Sequence, residues 1–348
     1  MLLLSPFLFL ILSTILPNIV AHPEKQEDVR SPQDIQARRE FLHGAGDTLS
    51  RCRSALNGRS ISEKAIKRRA QWARALRAKD GILVDKLSLG RRDFGTVLNT
   101  DHEQHRSGLG SHPSDEELFG GRIDCVLQPE VTVGPYWVKG EMVRNDIAED
   151  QPGTPLYMEL QIIDTTNCQP LSGAFVDVWQ ANATGVYSGV VSRSNGNRYD
   201  LANKERTYNR GIQKTDSDGV VAFKSIFPGH YTGRTHHVHL ITTIDAGKTS
   251  SGTLSGGHIS HVGQVFFDQD LTDTVEQDYP YTTNTQPRTP NRDDRIMQEE
   301  SETMDPVFKY VWLGKKATDG VLAWITIGID PRAVYHPRAA ATVGGGSK

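Results

Sequence analysis

The chain has little cysteine. Cys52, Cys125 and Cys168 are the only three, an odd number that cannot all pair within one chain. It also lacks an excess of either charge. Thirty-nine Lys and Arg against 42 Asp and Glu leave a formal net charge of −3, which favours neither nucleic acid nor an anionic membrane as a partner. Aromatic residues make up 7%, as in an ordinary globular protein, and nothing biases the whole chain toward disorder. No nucleotide-binding loop, serine-bearing nucleophile elbow or zinc finger occurs, which sets aside the chemistries those motifs carry. Beyond the N-terminus no run is long and apolar enough to anchor the protein in a membrane. With 348 residues the chain can still bury a substantial core in one large or two modest domains.

The one long apolar run is Leu2 to Leu16, broken only by Ser5, Pro6, Ser13 and Thr14. It ends in Ile19-Val20-Ala21 before His22-Pro23, as a signal-peptidase site requires, although no Lys or Arg precedes it. The expectation is a cleaved signal peptide over residues 1–21 and a secreted, extracellular protein, free of the membrane once the signal is removed. Secretion permits disulfides. Cys125 and Cys168 flank the expected strands and are the expected pair, which leaves Cys52 free, paired elsewhere, or simply a small buried helix residue.

Residues 22–122 read as a basic helical segment followed by a linker. Leu42, Ala45, Leu49, Cys52 and Leu56 recur on one helical face, and Asn57-Gly58 ends that helix. Ser60 and Glu63 resemble a capping box opening a second helix, with Ile66, Ala70, Ala73 and Leu76 on one face. Arg38, Arg39, Lys64, Lys67, Arg68, Arg69, Arg74 and Arg77 fall on the polar faces, expected to be solvated rather than to hold nucleic acid. From about Lys79 to Gly121 periodicity fades into a linker. Its His102, His105 and His112 lack the spacing of a helical zinc motif and are expected in an exposed polar loop.

Residues 123–332 carry strand texture. Met158, Leu160 and Ile162 alternate with Tyr157, Glu159 and Gln161, the pattern of a half-buried strand. Ala174 to Trp179, Val220 to Phe223, His237 to Ile241, Gln264 to Phe267 and Ala323 to Ile329 add more, and Thr215-Asp216-Ser217-Asp218-Gly219 is a turn signal. Short strands separated by turn residues predict an all-β fold, an antiparallel β-sandwich behind a short helical N-terminal segment. Residues 333–348 are expected to be a disordered tail.

The most informative stretch is Arg234-Thr235-His236-His237-Val238-His239, just after Pro228-Gly229-His230-Tyr231. On a strand, residues i and i+2 share a face, so His237 and His239 present two imidazoles side by side. Tyr231, and Tyr187 at the end of Trp179-Gln180-Ala181-Asn182-Ala183-Thr184-Gly185-Val186-Tyr187, complete a four-ligand set. Two imidazoles and two anionic phenolates suit ferric iron, and so oxygen chemistry more than hydrolysis.

These patches, together with Pro129 to Trp137 and Val143-Arg144-Asn145-Asp146-Ile147, resemble the intradiol ring-cleavage dioxygenases, the family of catechol and protocatechuate dioxygenases. The resemblance runs from about Asp124 to Arg332, and the N-terminal features resemble its secreted, mostly fungal branch. It implies non-haem Fe(III) held by Tyr187, Tyr231, His237 and His239. It also implies Arg234 facing the bound ring, Gln264 beside the substrate, and Tyr231 released from the metal when a catechol chelates. Substrate and O2 would give a muconate-type diacid, the ring opening between its hydroxyl-bearing carbons. Here Thr235-His236 replaces the usual Pro-Ala, the interval from Tyr231 to His237 is short, and the loop from Ala246 to Gly257 is enlarged. His236, one residue out of register, should point away from the ligands, and Tyr136 and Trp137 should be pocket wall or core. Asn182-Ala183-Thr184 is a glycosylation sequon, expected to be unmodified or shielded beside Tyr187. The rival reading is a non-catalytic extracellular sandwich module, prealbumin-like, that binds carbohydrate or phenolic wall components and would not need Arg234, His237 and His239 together. Oligomeric state stays open, a homodimer among the options.

Overall fold

A computed structural model describes Cys52, residues 59–82, Leu98 and residues 101–103, 114–119, 125–127, 133–301 and 305–343. The expected signal segment, the helix expected around Leu42 to Leu56 apart from Cys52, and His105 and His112 lie outside the described residues. So does the Gly344 to Lys348 end of the expected tail.

Helix α1 (Arg59–Asp80) and a short helix α2 (Asp115–Phe119) precede the strands. One sheet of six strands holds β1 (Cys125–Leu127), β3 (Pro155–Asp164), β4 (Gln169–Pro170), β7 (Val220–Ile226), β10 (Lys309–Trp312) and β11 (Val321–Ile329). A second sheet of four runs in the order β6 (Arg210–Lys214), β5 (Phe175–Trp179), β8 (His237–Lys248), β9 (Leu254–Phe266). Their apolar faces meet in one core. Met158, Leu160, Phe223 and Ile325 come from the first sheet, and Val176, Val178, Val238, Leu240 and Val265 from the second.

The sandwich is mixed, not purely antiparallel as expected. β11 pairs in parallel with both β1 and β3. Parallel neighbours need a long crossover, and here the chain between β3 and β11 builds the whole second sheet before returning. β3 is also not half-buried. Tyr157, Glu159 and Gln161 are all buried, because α1 covers that face with Ile66, Ala70, Ala73 and Leu76, as their helical spacing predicts. Glu159 there accepts from Arg68 Nε at 2.8 Å and Arg69 Nε at 2.7 Å. Arg68 and Arg69 therefore turn into the sheet instead of lying on a solvated face, whereas Lys64 and Arg74 remain exposed.

Three further expectations are corrected. Cys168 pairs with Cys52, not Cys125. Cys125 sits on β1 opposite Thr326, and Thr326 is in turn opposite Gln161 on β3. Two strand spacings, about 9–10 Å, thus separate Cys125 from a β3 residue that itself precedes Cys168 by a further seven positions, beyond disulfide reach. His102 is not in an exposed loop but 2% exposed. Its backbone N–H donates to Asp268 Oδ2 at 2.6 Å, and its ring lies between the carboxylates of Asp268 and Asp305. Finally, Ala341–Thr342 in the expected disordered tail forms a strand, β12, parallel to β2 (Val138–Lys139). The enlarged loop after β8 is a continued β8–β9 hairpin with pairs out to Lys248 and Leu254.

A candidate metal centre on the outer face of the second sheet

The alternation of β8 decides where the centre lies. Val238 and Leu240 enter the sandwich core, so His237 and His239 stand on the opposite face of the second sheet. Strand neighbours fix them there. Trp179 on β5 and Gln264 on β9 lie directly across from His239, and the Trp179 and His239 rings stack with centroids 4.9 Å apart. Gly134 backs onto the same imidazole. Its φ is +73°, and a Cβ there would lie 3.0 Å from His239 Cε1.

Two loops bring in the tyrosines. Asn182 Oδ1 accepts from the backbone N–H of Thr184 and Val186, shaping the turn before Tyr187, so the sequon asparagine is engaged in that turn. Gly185 then passes so close to His230 that a Cβ would meet its carbonyl oxygen at 2.1 Å. Asn195 grips the Tyr187 backbone at both N–H and C=O, each at 2.8 Å. Tyr231 enters from the following turn, where Arg234 N–H donates to its carbonyl at 3.1 Å. Tyr136 completes the wall, stacking on Tyr187 at 4.6 Å and meeting Tyr231 edge-on.

The polar ends converge. His237 Nε2 lies 3.0 Å from His239 Nε2 and 3.3 Å from each hydroxyl of Tyr187 and Tyr231. Atoms that bind one ion at about 2.0–2.2 Å stand about 2.9–3.6 Å from one another, so the four side chains fit a common metal. His237 Nδ1 lies 2.6 Å from Thr235 O. Its proton therefore belongs on Nδ1, which leaves the Nε2 lone pair aimed into the centre, as a metal-binding imidazole requires. Burial, then the neighbouring Tyr231, push the Tyr187 hydroxyl well above its ordinary range. Burial also raises Tyr231, against the lowering effect of Arg234. By themselves both phenols stay protonated at neutral pH. A strong Lewis acid is what would convert such a pair to phenolates.

Arg234 and Gln264 join the group. Arg234 Nη1 lies 3.4 Å from His237 Nε2, and Nη2 donates to Gln264 Oε1 at 2.6 Å. Burial opposes the guanidinium charge, but Asp294, together with the neighbouring Tyr231 and Tyr187, outweighs it and holds the group above its ordinary range. Asp294, fully buried against Arg234 Nε at 2.8 Å, also accepts from Thr235 N–H. Asp294 and Asn195 are site residues that sequence reasoning did not single out, and Trp179 falls within a motif patch without an assigned role. Asp294 lies 60 positions from Arg234 in a polar run with no motif to mark it. His236 points away from the four converging side chains, as its register predicts, and is buried. A cavity of about 630 Å³ opens farther along the same sheet face, lined by Trp137, Asp177, Ile241 and Tyr335 among others and by none of the four converging side chains.

The chain is similar to known dioxygenases. Residues 133–270 match the family model described as dioxygenase. Catechol 1,2-dioxygenase 1 of Acinetobacter lwoffii is 26% identical over 144 residues, 34% of this chain and 43% of that enzyme, so the match spans less than half of that relative. A dioxygenase crystal structure is 28% identical with a TM-score of 0.50, covering 62% of this chain and 98% of the other. An intradiol ring-cleavage dioxygenase from Tetranychus urticae, also 28% identical, covers 62% of this chain and 99% of its own at a TM-score of 0.49. Through the domain that carries His237 and His239, this chain is similar to dioxygenases of the intradiol ring-cleavage type.

Proposed function

We propose that the protein is a secreted, non-haem Fe(III) dioxygenase that opens catechol-type rings between their two hydroxyl-bearing carbons, O2 supplying both oxygen atoms of a muconate-type product. The observation that carries this reading is the convergence of Tyr187, Tyr231, His237 and His239 within 3.0–3.3 Å around His237 Nε2. When bound, ferric iron would hold the two phenols as phenolates and accept the oxygens of a chelating catechol. The rest of the chemistry falls to the chain. Tyr231 sits on a turn, can swing aside, and takes a catechol proton at Oη. His237 and His239 stay fixed by strand pairing. Arg234, preorganised by Asp294 and Gln264, stabilises negative charge as it develops on the ring. Residues 123–332 are the proposed catalytic unit, with α1 and the Cys52 and His102 anchorages fastened to it. Secretion is supported by the apolar run from Leu2 to Leu16 and by the Cys52–Cys168 disulfide. Among the described residues no helix is long and apolar enough to cross a membrane.

The test is the visible absorption spectrum of the purified protein before and after anaerobic addition of catechol. A tyrosinate-to-iron charge-transfer band that shifts with catechol is the expected result. A protein that stays colourless after ferric iron is offered would remove the dioxygenase reading and leave a binding module.

A further inference from the structure

The proposed ligands Tyr231 and His237 are each preceded by a buried histidine, and both histidines reach the same oxygen. His230 Nδ1 and His236 Nε2 each lie 2.7 Å from Glu276 Oε1. His230 Nε2 lies 2.9 Å from the backbone carbonyl of Gln286, so that ring is held at both nitrogens. His236 packs its ring against Phe227 and beside His230. Glu276 caps the C-terminal end of helix α3 (Gln269–Val275). The chain that follows reaches the third ligand loop. Gln286 Nε2 donates to Thr184 O at 3.1 Å, and the same amide would lie 2.5 Å from a Cβ at Gly185, two residues before Tyr187. One short segment, 276–286, therefore touches the loops bearing three of the four proposed ligands.

Two imidazoles and a carboxylate this close could themselves hold an ion. The distances argue otherwise. The iron-type ligand atoms stand 3.0–3.3 Å apart, as ligands of a shared ion do. The 2.7 Å separations at Glu276 are those of charge-assisted hydrogen bonds, an imidazole N–H donating to carboxylate. The two histidines also converge on a single oxygen, which leaves no room for an ion among the three atoms.

We propose that Glu276 is a positioning residue for the metal centre, clamping His230 and His236 and so anchoring the backbone at the two ends of the 231–237 turn. This rests on the ferric reading above. The clamp suits a centre in which Tyr231 must leave and return while His237 must not move. Both ends of the mobile turn are anchored outside the ligand set, so displacement of Tyr231 is confined to the residues between them. It also accounts for His236, which stands where the family pattern has Ala and provides the second arm.

Glu276→Ala and the isosteric Glu276→Gln separate the possibilities, read by the charge-transfer band, by iron release to a chelator and by thermal unfolding. Outer hydrogen-bond partners of metal ligands typically tune affinity by 10–100-fold. Glu276→Ala should release iron at least tenfold faster than wild type and shift the band. Glu276→Gln, which still offers one acceptor oxygen, should lie between. If Glu276→Ala does not fold, Glu276→Gln alone decides, with an expected release several-fold faster. His236→Phe, which keeps the ring volume against Phe227, should reproduce part of the change, and adding it to Glu276→Gln should add little. A variant less heat-stable but with unchanged band and iron release would overturn the proposal and leave Glu276 merely structural. Loss of a second, colourless metal equivalent from Glu276→Ala with the band intact would overturn it in favour of an ion at His230, His236 and Glu276. A wild-type protein that shows no band at all would instead remove the ferric reading itself, an outcome distinct from either.

Discussion

Arg234 and Asp294 illustrate how tightly chemistry and stability are joined at single positions. The pair is buried on both sides, and removing one member of such a pair costs about 3–5 kcal/mol because the other charge is left unpaired. Arg234→Met should therefore lower stability by about that amount and also abolish ring cleavage. Pairing it with Asp294→Asn should recover part of the stability, since no unpaired charge remains, although Asn offers one oxygen where the Thr235 and Met297 N–H groups now use both carboxylate oxygens. Activity should not return. Denaturant unfolding and catechol turnover on the single and double variants check both halves. Recovery of turnover in the double variant would mean that Arg234 acts only through the fold. The pairing of His237 with His239 was legible in the sequence because the i, i+2 rule puts them on one face whatever the rest of the chain does. Asp294 and Glu276 were not legible. They meet their partners across separations of 40 to 60 residues, and a lone acidic residue in a polar loop carries no trace of what it will face.

Among the elements, strand identity was readable from alternation, but pairing was not. The β3 pattern announces a strand, yet nothing in it says that β11 will lie beside it in parallel or that α1 will cover its polar-looking face. Glu159 and Gln161 look solvent-facing because the helix that shields them, and the arginines that neutralise Glu159, lie some 90 residues earlier in the chain. Cys168 was misassigned for the same reason, since proximity in sequence to a strand says nothing of distance across the sheet. The Cys52–Cys168 bond closes a separation of 116 residues, and losing a native disulfide typically costs about 2–5 kcal/mol. Cys52→Ser should lower stability by that order. It should leave the visible band unmoved, because α1 and the disulfide flank the first sheet while the proposed metal centre lies on the far face of the second. A shifted band in Cys52→Ser would show that the two faces are coupled through the core.

For the whole molecule, a near-balanced net charge conceals a few buried ionic contacts that join distant parts of the chain, and His102 is the one with the clearest pH signature. It links the segment before the sandwich to Asp268 after β9 and to Asp305 before β10. Burial works against its charge, but Asp305 and Asp268 more than compensate, and its pKa rises from an ordinary 6.5 to about 9. A histidine raised on folding contributes stability fully below its unfolded pKa, and that contribution is lost as pH climbs through the folded value. The window is therefore about pH 6.5 to 9, and the loss is on the order of 3 kcal/mol for a shift of this size. Glu103 works in the same direction at lower pH. Burial, then Asp101, push it up to about 7, so its contribution drains away between its ordinary value and neutrality. Urea unfolding of wild type from pH 6 to 9.5 should show a falling midpoint. His102→Gln, which keeps hydrogen-bonding capacity without a titrating ring, should start lower and lose the decline above pH 7 while keeping whatever slope Glu103 imposes below it. An undiminished decline in His102→Gln would place the pH-sensitive contact elsewhere.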